Sequence, residues 1–154
     1  MKRWFAIFLC LVLLTIGLIR TGVGVIVIGE AQSWWTFGGE AAQAVAETAE
    51  FISNAPNNLL GFSVLGYFLY LLAMGLALSA GATAQIWRAR WGMTLIIVYL
   101  AAHAFLFINF ATINPKVGFV AAVGVLAALL GWANRGDPQP SSGGAAKPAE
   151  AAGE

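Results

Sequence analysis

Apolar residues gather along the chain into four blocks separated by polar stretches. The blocks run over about residues 4–28, 59–82, 92–113 and 117–134. Each holds roughly 20 residues, the length that crosses ~30 Å of hydrocarbon at ~1.5 Å per residue. The pattern predicts an all-α membrane protein over residues 1–135, with four transmembrane helices in an antiparallel bundle. The polar stretch 29–58 is a long outer loop. Between Gly39 and Asn54 it carries the helix formers Ala41, Ala42, Gln43, Ala44, Ala46 and Glu47. Val45, Ala49 and Ile52 share one face there with Phe51 beside them, so a short interfacial helix is expected. Asn114-Pro115-Lys116 leaves room only for a tight hairpin between spans three and four. Residues 136–154 are rich in Pro, Ser, Gly and Ala, and are expected to be a disordered cytoplasmic tail.

Composition agrees with this reading. The 154 residues are 60% hydrophobic and 10% charged, where a soluble domain carries about a quarter charged residues. The net charge of +1 comes without a basic cluster, so nucleic acid is not an expected partner. Cys10 is the single cysteine, which excludes thiol-pair redox chemistry and disulfides within one chain. Leu9 stands before it where a lipoprotein signal needs a small residue. Lys2-Arg3 followed by an apolar run resembles a signal peptide, and Gly29-Glu30-Ala31 resembles a cleavage site. The apolar run is too long for that, and Arg20 interrupts it, so a retained signal-anchor helix is expected.

Charge placement predicts orientation. Lys2, Arg3, Arg88, Arg90 and Arg135 all fall on one side of a four-span chain. The other side holds Lys116 with Glu30, Glu40, Glu47 and Glu50. The positive-inside rule then puts both termini in the cytoplasm and loop 29–58 in the periplasm of a bacterial inner membrane. Trp4, Trp87, Trp91 and Trp132 fall at one interface, and Trp34 and Trp35 at the other.

Small residues mark candidate helix-packing positions. They include Gly17, Gly22 and Gly24 in span one and Gly75 with Ser79, and Ala77 with Gly81, in span two. Span four has Gly118 with Ala122, Gly124 with Ala128, and Ala127 with Gly131. Such spacing lets helix backbones approach closely in lipid.

The candidate chemistry lies in a few polar residues at membrane depth. Arg20 is costly inside a bilayer, and no span offers an Asp or Glu to neutralise it. Counting from the cytoplasmic ends puts Arg20 at roughly 24 Å, His103 at roughly 18 Å and Asn109 at roughly 27 Å, with Tyr67 near the level of His103. These four residues form a candidate ligand-binding layer for a lipid headgroup, a quinone carbonyl or a small anion. In the plainer reading Arg20 snorkels to outer headgroups and His103 is an interhelical hydrogen bonder. Metal sites, catalytic constellations and nucleotide loops are not expected. Gly22 and Gly24 sit mid-span with no strand before them.

Ile19-Arg20 with Gly24 four later, Gly29, Gly75, Gly81, the Arg88/Arg90 turn and His103 resemble the DoxX-like families of small four-helix membrane proteins. The likeness spans most of residues 10–130. Tyr67 and Tyr70 stand in span two where the family has an acidic residue, and the outer loop is longer. The resemblance implies a link to quinone-using redox complexes of bacterial membranes. Three functions follow in order of expectation. The first is a non-catalytic accessory or assembly subunit of a larger membrane complex, with respiratory or photosynthetic electron transfer the leading context. The second is a quinone- or anion-binding redox component. The third is an oligomeric small-solute transporter or channel. The sequence requires no cofactor and is compatible with a bound lipid or quinone. The expected partners are lipids and other membrane subunits, or further copies of the chain.

Overall fold

The structure, a computed structural model, describes residues 2–54, 59–110 and 116–134, with the side chain of Lys116 excepted. The Asn114-Pro115 turn, Arg135 and the tail 136–154 lie outside the described residues. All described elements are helices: α1 (Lys2–Ala31), α2 (Gly39–Asn54), α3 (Val64–Ile86), α4 (Trp91–Phe110) and α5 (Lys116–Asn134). Four of them, α1, α3, α4 and α5, are long and apolar enough to cross a membrane. The helix expected in the outer loop is α2.

The second span is displaced from its expected limits. The apolar run begins at Leu59, but the helix begins only at Val64. Ser63 stops it there by accepting a hydrogen bond from Gly66 N (3.0 Å), which satisfies one of the free amides at the helix start. The apolar residues before it form a strap. Its Leu60 is held by Asn109, which accepts from Leu60 N (2.7 Å) and donates to Leu60 O (3.4 Å). Hydropathy reads Leu59 and Leu60 as membrane residues, but it cannot see a cap.

Two helices end with the same device. At the end of α1, Trp34 N bonds Gly29 O and Ser33 N bonds Glu30 O, with Ser33 at φ 56°. At the end of α3, Ala89 N bonds Ala84 O and Arg88 N bonds Gln85 O, with Arg88 at φ 61°. These are Schellman caps, which need one left-handed residue to return the last carbonyls their partners.

Packing among the spans is a ring. α1 packs on α3, α3 on α4, α4 on α5 and α5 on α1, while the diagonal pairs α1–α4 and α3–α5 do not meet backbone to backbone. The α1–α3 seam is the tightest. A methyl group added at Gly17 would meet Ser79 N at 2.8 Å, and one at Gly75 would meet Thr21 N at 2.9 Å. One at Gly24 would meet Leu72 Cα at 3.3 Å, so numbers fall along α3 as they rise along α1. The α3–α4 seam uses Gly81 against Gly92, and higher up the Tyr70 hydroxyl donates to Ala102 O (2.9 Å).

Inside the ring, the half nearer Lys2 and Asn134 is solid. Leu9, Cys10, Leu13, Leu78, Ile96, Tyr99, Val123 and Leu130 are all buried there. The outward faces carry Leu18, Leu76, Ile97 and Val125, an apolar surface suited to lipid. α2 packs through Ala44 and Val45 on Val27, Ile28 and Phe68, so it covers the far end of the α1–α3 pair. No residue of α2 is fully buried, so it rests on the ring rather than joining it.

Candidate functional site

The other half of the ring is not solid. Between the diagonal pair α1 and α4 lies a cavity of about 490 Å³, within the ~300–1,000 Å³ range of ligand sites. Its walls are mostly apolar, including Val27, Phe68, Leu71, Leu106 and Phe110. Its polar groups come from four helices. Arg20 enters from α1, Glu47 and Thr48 from α2, Tyr67 from α3 and His103 from α4.

Helical spacing explains the convergence. Arg20, Val23, Gly24 and Val27 recur at three and four residues, as do His103, Leu106, Phe107 and Phe110. Each set forms one stripe, and both stripes face the gap. Ala44, Glu47, Thr48 and Phe51 form a third stripe, on α2. Val45, Ala49 and Ile52, the stripe expected to be apolar, lie beside it and are half-buried. Phe51 reaches the Phe110 ring at 4.9 Å, which ties α2 to α4 across the cavity.

Arg20 is half-buried, and its contacts among the described residues are with rings. The guanidinium lies 5.7 Å from the Tyr99 ring and 5.0 Å from the Phe119 ring. Rings can attract a cation through their faces, but they fill none of its five N–H donors. The Tyr67 hydroxyl likewise makes no hydrogen bond to a described residue, and its ring packs on Phe62, Phe68 and Phe110. His103 is 4% exposed, with its ring 4.9 Å from that of Tyr99. The Tyr99 hydroxyl is buried with no hydrogen-bond partner among the described residues.

Of the four residues of the expected polar layer, Arg20, Tyr67 and His103 share the cavity. Asn109 does not line it, because its amide is engaged with Leu60. Of the expected packing positions, Gly75 and Ser79 sit in the α1–α3 seam. Gly118 and Gly124 meet nothing within 4 Å, and Ala122 and Ala128 are exposed, so this stripe of α5 faces outward.

Sequence reasoning missed Glu47, Tyr99 and Phe119. Tyr99 was findable, since it stands four residues before His103 on the same helix face. Glu47 was not, because nothing in the sequence says that α2 folds back over Arg20. Glu47, which lies outside the four long helices, puts a carboxylate on the same cavity wall as Arg20. The two do not form an ion pair, and Glu47 instead accepts a hydrogen bond from Gln43 Nε2 (2.6 Å).

The fold and the cavity define a small helical protein with four membrane-length helices and an open, mostly apolar-walled cavity containing an arginine. No known protein family, curated protein or solved structure matches the chain.

Proposed function

We propose that this chain is a multi-pass protein of a bacterial cytoplasmic membrane that binds an amphipathic molecule by its oxygen-bearing head. In this reading α1, α3, α4 and α5 form an antiparallel four-span bundle with cytoplasmic termini, and α2 lies at the periplasmic interface. The observation that carries it is the convergence of Arg20, Tyr67 and His103 on one apolar-walled cavity. Arg20 supplies a permanently charged fork for a carboxylate, a phosphate or a quinone carbonyl. Tyr67 and His103 add hydrogen-bonding groups, while the apolar walls suit the rest of the molecule. A half-buried arginine whose guanidinium, among the described residues, meets the rings of Tyr99 and Phe119 is poised for such a head.

The test is mass spectrometry of the protein purified in native nanodiscs. The wild type is expected to retain a lipid or quinone that an equally folded Arg20→Leu variant loses. Equal retention by both would sink the proposal.

A second reading, an accessory subunit of a larger membrane complex, draws on α5. Its outward Gly118, Ala122 and Ala128 offer a close-approach face to another helix. A protein that runs as a lone monomer in mild detergent, with no co-purifying subunit, counts against this reading.

A further inference from the structure

The cavity has a side opening. On α1 its lining runs from Gly24, against α3, across Arg20 and Val27 to Val23 and Ile19. At ~100° per residue these last two lie farthest from the α3 seam, on the flank that turns toward α5. They are 54% and 61% exposed, although they line a chamber. On the opposite wall, Phe107 of α4 carries the lining past His103.

Nothing described on α5 closes that flank. No described α5 residue lines the cavity, and the first buried residue of α5 is Val123. From Val117 to Ala122 the residues of α5 are exposed or half-buried, so the first turns of α5 leave that flank uncovered. One side chain reaches across. Phe119, itself 38% exposed, places its ring 5.0 Å from the Arg20 guanidinium. The residues around this opening are Ile19, Val23 and Phe119, all apolar and all within membrane-length helices. A water-soluble anion has no polar surface to follow there, whereas the tail of a lipid-dissolved molecule does.

We infer that the cavity is loaded sideways from the lipid phase between α1 and α5. Its ligand is a single-tailed amphiphile with a carboxylate or phosphate head, and Phe119 is the threshold residue. The ring holds the face of Arg20 in the empty site and swings aside as the head arrives. The Tyr99 ring, 5.7 Å from the guanidinium, backs Arg20 from the solid half of the ring. This inference rests on the proposed role of Arg20 and adds the ligand class and its route.

The experiment uses the full chain in nanodiscs with two probes sharing one head group, radiolabelled hexadecanoate and acetate as competitor. Wild type is expected to bind hexadecanoate, with acetate at least ~100-fold weaker because it lacks the buried tail. Phosphate and a single-chain lysophosphatidic acid, compared in the same way, separate a free anion from a lipid headgroup as the source of a phosphate. Phe119→Ala should speed hexadecanoate loading several-fold, and Phe119→Trp should slow it, with little change in melting temperature. Acetate or phosphate matching its tailed counterpart would overturn lateral loading while leaving the Arg20 site standing. Loading rates equal across the Phe119 variants would overturn the threshold role. Hexadecanoate binding that survives in both Arg20→Leu and Arg20→Gln would overturn the Arg20 site itself, and the inference with it.

Discussion

Gly75 lies against Thr21 so closely that a methyl group on it would sit 2.8 Å from Thr21 Oγ1 and 2.9 Å from the Thr21 amide nitrogen. The α1–α3 seam therefore has no spare volume at this level. Because α1 carries Arg20 and α3 carries Tyr67, the seam also sets the spacing of the cavity walls. A substitution here has to move backbone, since the atom it meets is not the end of a flexible side chain.

Gly75→Val is accordingly expected to lower stability by about 1–3 kcal/mol, the usual cost of overpacking a close contact. Gly17→Val, facing Ser79 N at 2.8 Å, should behave alike. Gly22→Ala meets nothing within 4 Å and gains helix propensity, so it should be neutral or stabilising by up to ~1 kcal/mol. Thermal unfolding in nanodiscs separates the two classes. If Gly22→Ala were as damaging as Gly75→Val, the seam would be misplaced.

Asn109→Ala removes both bonds to Leu60 from a fully buried amide. Losing the bonds to the half-exposed Leu60 backbone should cost about 0.5–1.5 kcal/mol. The loss is local, so the Leu60 amide should exchange hydrogen faster while the α1–α3 seam stays protected. Unchanged exchange at Leu60 would rule out the clamp.

Tyr99→Phe tests the buried hydroxyl. The hydroxyl is buried without a described partner, and such a group costs about 1–3 kcal/mol. Its removal should raise the melting temperature of the empty protein. A destabilised empty protein would show that the hydroxyl is already satisfied.

Ser33→Gly should stabilise the end of α1 by about 1 kcal/mol. Ser33 sits at φ 56°, a left-handed conformation that costs a residue with a Cβ ~1–2 kcal/mol. Ser33→Val should do the reverse, because branching at Cβ worsens the same clash. Chemical unfolding curves for the pair, compared with wild type, should bracket it.

The legible part of the site follows one rule. Arg20, Tyr67 and His103 were readable as one layer because depth in a helix is counted at a fixed rise per residue. Depth alone does not say which way a side chain points. Asn109 has the right depth and still turns to the Leu60 strap, because an unpaired backbone pair there outweighs a place in the cavity. Gly118 and Gly124 carry the same small-residue spacing as Gly75 and Ser79, yet only the latter pair sits in a seam. Spacing shows that a close approach is possible; it does not supply the partner helix.

The sequence by itself determined the four membrane-length helices and the helix at Gly39–Asn54, and it singled out Arg20, Tyr67 and His103. These follow from local periodicity and from the high cost of exposing backbone or charge to hydrocarbon. Only the tertiary structure decided that α1 and α4 stand on a diagonal with a cavity between them. It alone placed Glu47 of α2 on the cavity wall and Phe119 over Arg20. Those relations join residues far apart in sequence, and they depend on which helix faces fit together. Closeness of that kind comes from packing and leaves no mark in the spacing of the chain.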